Sequence, residues 1–182
     1  MSTPVGHSLV GMCILFLAAC GEFFSGRPKQ ILLFCIIIAC LPDIDFIPGI
    51  FAGNINAYHH RGTHTLLFAI IVPLVVWLVV RSKDRLKLTV LSFALVMSHL
   101  AVDYVTVDKT EPFGIPFFWP LSERYFYSGL AFLPDVFRGE TVRTVFNLHN
   151  LGTVAREIAV FSPVAVITYF FCRGRLERQD AI

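Results

Sequence analysis

The sequence predicts an all-α membrane protein, a bundle of about five spanning helices with one long outer loop. Of its 182 residues, 55% are hydrophobic and 15% are charged, whereas soluble domains carry about 25% charged residues. The mean hydropathy is +0.69. Five apolar stretches follow one another, at residues 8–24, 31–41, 65–80, 88–107 and 154–172, and residues 108–153 form the loop. We therefore expect one membrane-embedded domain over residues 1–182.

The five apolar stretches differ in how closely their lengths match that of a membrane-spanning helix. A helix needs about 20 mainly apolar residues to cross the hydrocarbon core. Four stretches come close to that length, but the stretch 31–41 is short. It must be extended at its ends or lie recessed in the membrane.

The basic residues predict how the spans are oriented. Nine of the fifteen Lys and Arg residues lie between spans one and two, between spans three and four, or after span five: Arg27, Lys29, Arg81, Lys83, Arg85, Lys87, Arg173, Arg175 and Arg178. Simple alternation places all nine on one side, which the positive-inside rule makes cytoplasmic. We expect a multi-pass protein of the cell membrane with its N-terminus outside and its C-terminus in the cytoplasm.

Charge and cysteine content exclude some functions and leave one question open. The net charge of +2 is too small to indicate nucleic-acid binding, and the absence of a CxxC pair argues against a zinc knuckle. The sequence Leu17-Ala18-Ala19-Cys20 matches a lipoprotein cleavage box, yet residues 1–8 lack the Lys or Arg that a signal peptide requires. Retention of the first span is favoured, and processing at Cys20 stays open.

Ionisable residues gather at the outer ends of the predicted spans. Such residues are rare in membrane segments and mark functional sites. They are His7, Asp43, Asp45, His59, His60, His64, His99 and Asp103. Because the orientation was derived from Lys and Arg alone, their common side is an independent observation. Groups from four spans could therefore meet in one recessed pocket.

Residue spacing indicates that this pocket binds metal. His99 and Asp103 are four residues apart and share one helix face, a spacing at which two ligands can hold one ion. Asp43 and Asp45 follow Pro42 at the end of a span, where a carboxylate can turn toward a site. Imidazole with carboxylate suits zinc or another first-row divalent ion. Arg61 would be the partner for an anionic group such as phosphate.

Each of these features also has a plainer explanation. A single HxxxD can be a structural hydrogen-bonded pair, an Asp-x-Asp after a span can simply begin a loop, and His7 can be a solvated terminal residue. Their joint occurrence at one depth favours the metal site. Five loop residues are instead expected to be solvated or structural, namely Asp108, Glu111, Glu123, Asp135 and His149.

Several motifs together resemble the YdjM family of membrane-bound, metal-dependent hydrolases of bacteria and archaea. They are Gly6-His7, Leu41-Pro42-Asp43-Ile44-Asp45, His60-Arg61-Gly62-Thr63-His64-Thr65, Ser98-His99-Leu100-Ala101-Val102-Asp103 and Gly114-Ile115-Pro116-Phe117-Phe118-Trp119-Pro120. This chain has Phe46 where the family typically has His, and one residue fewer between its HRG and TH pieces. Whether His59 or His60 joins the site is left open.

A more distant likeness is to zinc-dependent phospholipase C and related nucleases, in which His, Asp, His and HxxxD follow in the same order. The two resemblances imply one or two zinc ions. One ion would be held by Asp43 or Asp45 with His64, His99 and Asp103, and a second would involve His7, with Asp103 bridging. Asp45 would accept a proton from the attacking water, and Arg61 would neutralise developing charge.

The combined hypothesis is a membrane-bound hydrolase of phosphoester bonds in a lipid or lipid-linked substrate at the outer leaflet. Two alternatives remain. A metal transporter or sensor predicts polar residues continuing down the spans, and spans one to three have almost none. A purely structural protein would use the polar cluster only to tie its helices together.

Overall fold

The computed structural model describes residues 1–19 and 28–179, and side chains at 1–18 and 29–173. The described chain is helical. Its α-helices are α1 (Pro4–Ala19), α2 (Pro28–Ala39), α3 (Phe46–Phe51), α4 (Leu66–Val79), α5 (Arg85–Tyr104) and α6 (Leu148–Gln179), with 3-10 helices η1 (Leu41–Asp45) and η2 (Val142–Val145). Cys20 and Arg27, on which the processing and orientation expectations partly depend, lie outside the described residues.

The all-α membrane class is confirmed, although fewer helices reach spanning length than the five expected. In the described part of the chain, α5 and α6 are long and apolar enough to cross a membrane. A third span exists if α2 and the η1–α3 segment count as one, bent by 55° at the break. The described helices α1 and α4 are apolar but shorter. Helix α4 ends early because Val80 leaves helical geometry, with φ −75° and ψ 120°.

Helix α5 is the centre of the bundle. It contacts α1, α2 and α4, and α1 also packs on α2 and α6. Leu95, Val96 and Leu100 of α5 are completely buried, beside Cys35 and Ala39 of α2. The outer faces of α4 and α6 expose apolar side chains, as expected where lipid is the solvent.

The segment after α5 folds back over the ends of the helices. Two isolated bridges join Thr106 with Leu133 and Ile115 with Phe126. Gly114 adopts φ +92°, and a Cβ atom there would collide with the carbonyl of Phe126, so glycine is required for this close approach. The loop thereby brings residues near position 138 to the same end of the bundle as the predicted site.

A buried carboxylate on α6 fixes the first residues of the chain. Glu157 is inaccessible to solvent and accepts hydrogen bonds from the Ser2 hydroxyl at 2.6 Å, the Thr3 amide at 2.8 Å and the Thr3 hydroxyl. Gly6 faces this group: a Cβ atom there would lie 2.8 Å from the Glu157 carboxyl carbon and even closer to the Ser2 hydroxyl. The glycine before His7 therefore has a packing role.

Replacing Gly6 by alanine is expected to destabilise the protein by roughly 1–3 kcal/mol, the usual effect of overpacking. Thermal unfolding in detergent should show a Tm several degrees lower. Gly152→Ala in α6 is the matched control, because its Cβ atom would meet nothing within 4 Å and alanine favours helix. Equal Tm values for the two variants would contradict the packing role of Gly6.

Candidate metal centre

Four ligand atoms from three parts of the chain converge at the C-terminal end of α5. They are Oδ1 of Asp43 in η1, Nε2 of His64 just before α4, and Nε2 of His99 and Oδ2 of Asp103 on α5. The two imidazole nitrogens are 3.1 Å apart. Asp103 Oδ2 lies 3.2 Å from His99 and 3.4 Å from His64, and Asp43 Oδ1 lies 3.6 Å from each imidazole.

These spacings are those of a tetrahedral metal site. Zinc bonds of about 2.0–2.1 Å place neighbouring tetrahedral ligands about 3.3 Å apart. Five of the six edges of the Asp43, His64, His99 and Asp103 tetrahedron fall between 3.1 and 3.6 Å. The cluster can therefore accept one tetrahedral ion with small adjustments.

The second nitrogen of each imidazole ring fixes its tautomer. His99 Nδ1 lies 2.8 Å from the carbonyl oxygen of Ala39, which can only accept, so Nδ1 carries the proton. His64 Nδ1 lies 3.1 Å from Asp45 Oδ2 and donates to it in the same way. Both Nε2 atoms are then lone-pair donors directed at the cluster, the usual arrangement around metal-bound histidine.

Asp45 lies behind this cluster and connects two histidines. Its Oδ2 accepts from the Thr63 hydroxyl at 2.8 Å as well as from His64. Its Oδ1 lies 2.8 Å from Nδ1 of His59. Thr65 is the N-cap of α4, and its hydroxyl accepts from the Phe68 amide. The Thr63 hydroxyl is therefore not needed to cap the helix and donates to Asp45 instead.

Further histidines surround Asp103. Its Oδ1 accepts from the Ser2 amide at 2.7 Å and lies 3.4 Å from His7 Nε2. The His7 ring stacks on His99, with centroids 3.7 Å apart. His60 Nε2 lies 3.9 Å from Asp103 Oδ2. The two oxygens of Asp103 thus face different histidines, and all eight residues expected at the site meet here.

Several polar atoms in this cluster are buried without a protein hydrogen-bond partner. They are both ring nitrogens of His7, both carboxylate oxygens of Asp43, Nε2 of His59, Nε2 of His60 and Oδ2 of Asp103. Buried polar groups are normally paired, since leaving them unpaired is costly. Carboxylate and imidazole lone pairs that converge in this way fit a bound cation.

Comparison with known proteins identifies the family. The family model for the YdjM inner membrane protein matches residues 1–178. The chain belongs to the YdjM family. The inner membrane protein YbcI of Escherichia coli (strain K12) is 32% identical to it over 135 residues, which cover 70% of this chain and 73% of that protein. No solved structure matches the chain.

Asp108, which the sequence predicted to be solvated or structural, contacts the site. In this YdjM-family chain its carboxylate accepts from the amides of Thr110 and Gly114 and lies 3.4 Å from His60 Nδ1. Burial alone would raise the pKa of Asp108, but His60 and the Gly114 amide hold that pKa at about 2. The only feature of the sequence that could have indicated this role is the Asx-type turn Asp108-Lys109-Thr110.

His60 is turned into the cluster by an unusual backbone conformation. Its φ is 54°, in the left-handed region that non-glycine residues seldom occupy. This places its ring between Asp103 and Asp108. Burial lowers the pKa of His60, although the hydrogen bond with Asp108 acts in the opposite direction. In its neutral form, with Nδ1 donating to Asp108, the ring would present Nε2 as a possible ligand.

The two arginines of this region differ from expectation. Arg61 is exposed, and its guanidinium carbon lies 6.0 Å from the centre of the Tyr58 ring. Arg138, in the loop between α5 and α6, was not singled out in the sequence, and it lines a small cavity together with His59 and His60. Its guanidinium lies 5.4 Å from the ring centre of Phe46. A single Arg in an irregular loop carries no periodic signal that could have identified it.

Replacing Asp45 by alanine should weaken metal binding by about 10- to 100-fold, the usual effect of removing a group that orients a metal-bound histidine. Zinc affinity measured by competition with a chromophoric chelator checks this. Asp84→Ala, at the opposite end of α5, is the matched control and should leave the affinity unchanged. An Asp45→Ala protein that binds zinc as tightly as the control would show that Asp45 does not position His64.

Proposed function

We propose that this protein is a membrane-bound, metal-dependent hydrolase of phosphoester bonds in a lipid or another amphiphile at the outer leaflet. The observation that carries the proposal is the tetrahedral spacing of Asp43, His64, His99 and Asp103, with both histidine tautomers fixed by acceptors behind them. Two imidazoles and two carboxylates suit zinc or a similar first-row ion.

A bound ion would lower the pKa of water toward neutrality and polarise a phosphoryl oxygen. Asp43, His64, His99 and Asp103 would hold it. A second ion is supported by the other carboxylate oxygen of Asp103, which lies 3.4 Å from His7 Nε2. Asp103 would then bridge two ions, with His7 as an additional nitrogen ligand.

Asp45 and His59 form the pair best placed to accept the proton of the attacking water. Asp45 Oδ1 accepts from His59 Nδ1, so His59 Nε2 is left with a lone pair. That nitrogen is buried and unpartnered, and His59 lines the small cavity shared with His60 and Arg138. In this proposal His59 accepts the proton of the attacking water and Asp45 orients its ring.

The positive charge that balances the phosphoryl group is better supplied by Arg138 than by Arg61. Arg61 is exposed beside Tyr58, whereas Arg138 lines the cavity of His59 and His60. The proposed orientation puts the site and the N-terminus outside and the C-terminus in the cytoplasm, and the distribution of Lys and Arg supports it.

Hydrolysis of a phosphodiester dye ester and of phosphatidic acid by the purified protein in detergent tests the proposal. We expect activity that a chelator abolishes and that zinc or manganese restores. Asp103→Asn should lower kcat/KM by at least about 100-fold, the scale of a lost electrostatic stabiliser. Asp84→Asn, remote from the site, should retain full activity.

A further variant separates proton transfer from metal holding. His59→Gln should retain the bound metal and lower kcat by about 100-fold or more, the usual contribution of a general base. If the metal-loaded protein hydrolyses neither substrate, the hydrolase proposal fails, and a metal-handling role takes its place.

A further inference from the structure

A second cavity, of about 490 Å³, opens beside the candidate metal centre and is almost entirely apolar. It lies between the first residues of the chain, α3, η2 and the start of α6. Its walls include Phe46, Ile50, Ile55, Val145, Leu151 and Val154. The volume is within the range of ligand-binding cavities, about 300–1,000 Å³. We call it the apolar cavity.

Arg138 interrupts the apolar wall with a positive charge. Arg138 lines both the apolar cavity and the small cavity of His59 and His60. Its Nε and Nη1 atoms are shielded from solvent and have no hydrogen-bond partner. A buried guanidinium without paired donors is costly, and a planar fork of N–H groups is suited to a phosphate or carboxylate.

The apolar cavity is also connected to the cluster through the first residues of the chain. Ser2 and Thr3 line it, and the Ser2 amide donates to Asp103 at 2.7 Å. Arg138 and Ser2 therefore both line the apolar cavity and contact the polar cluster or its small cavity.

We propose that the apolar cavity holds the hydrocarbon chain of an anionic amphiphile, and that Arg138 binds its phosphate-type headgroup beside His59 and His60. As a statement about substrate, this rests on the proposed hydrolase function. A neutral apolar chain would leave the Arg138 donors unpaired, and a small soluble anion would leave the apolar cavity unfilled. An anionic amphiphile satisfies both.

Binding of hexadecylphosphonate, which has no phosphoester bond to cleave, tests the proposal. Native mass spectrometry of the chelator-treated, full-length protein in a neutral detergent measures its Kd without any contribution from metal or turnover. Methylphosphonate provides the headgroup alone, and hexadecanol the chain alone. Each should bind at least about tenfold more weakly than hexadecylphosphonate, because each lacks one of the two interactions.

Two variants and their matched controls locate the site. Arg138→Gln should weaken hexadecylphosphonate binding at least about tenfold, and Arg124→Gln, whose side chain is exposed over Phe126, should not. Val145→Trp should weaken it similarly by filling the cavity. That change is tolerable because η2 has no buried residue. Val160→Trp on the exposed face of α6 controls for added bulk.

The outcomes separate this inference from the proposed function. Unchanged affinity in Arg138→Gln or in Val145→Trp would overturn the inference, even for an active hydrolase. Specific binding in the wild type and its loss in both variants would support the cavity assignment, even if no phosphoester were hydrolysed. Equal affinity for hexadecanol would overturn the role of Arg138.

Discussion

Burial of the Asp103 carboxylate is the constraint on which the rest of the site depends. An anion within an apolar bundle is unfavourable unless donors or cations surround it. Asp103 recruits them from several elements: the Ser2 amide and His7 around the start of α1, His99 on its own helix, and His64 ahead of α4. Each contact brings one element to the same end of α5, so one charge organises much of the bundle.

The end of α2 leaves a backbone carbonyl available that a continuous helix would use in its own hydrogen bonds. Helix α2 ends at Ala39, and the Asp43 amide bonds to the Cys40 carbonyl. The carbonyl of Ala39 is left to accept from His99 Nδ1 at 2.8 Å. The final carbonyls of a helix have no partner within it, and here one of them fixes the tautomer of a candidate ligand. Because α2 ends at this point, its backbone contributes directly to the orientation of His99.

Much of this arrangement follows from patterns that sequence can reveal. Apolar runs located α1, α2, α4, α5 and α6. The spacing of four placed His99 and Asp103 on one helix face, where their side chains are 3.2 Å apart. The sequence left Asp43 and Asp45 as alternatives. The structure places Asp43 against His64 and His99, and Asp45 behind His64, because η1 directs the two side chains differently.

Residues positioned by irregular backbone were left undecided or missed: the role of His60 was left open in the sequence analysis, and Asp108 and Arg138 were not assigned to the site. His60 enters the cluster through a positive φ, Asp108 through amide contacts of a turn, and Arg138 through a loop that returns from beyond position 105. None of these conformations produces a periodic pattern in the sequence from which it could be predicted. In the described part of the chain, fewer helices reach spanning length than the five expected, since hydropathy detects an apolar run and does not detect where a helix ends around a polar site.

The most direct test of the central claim is X-ray absorption at the zinc edge on the purified, zinc-loaded protein. The account predicts a shell of only nitrogen and oxygen at about 2.0–2.1 Å, with the multiple scattering of two imidazoles, and reduced imidazole scattering in His99→Ala. A sulfur shell at about 2.3 Å, or no zinc retained after loading, would contradict it.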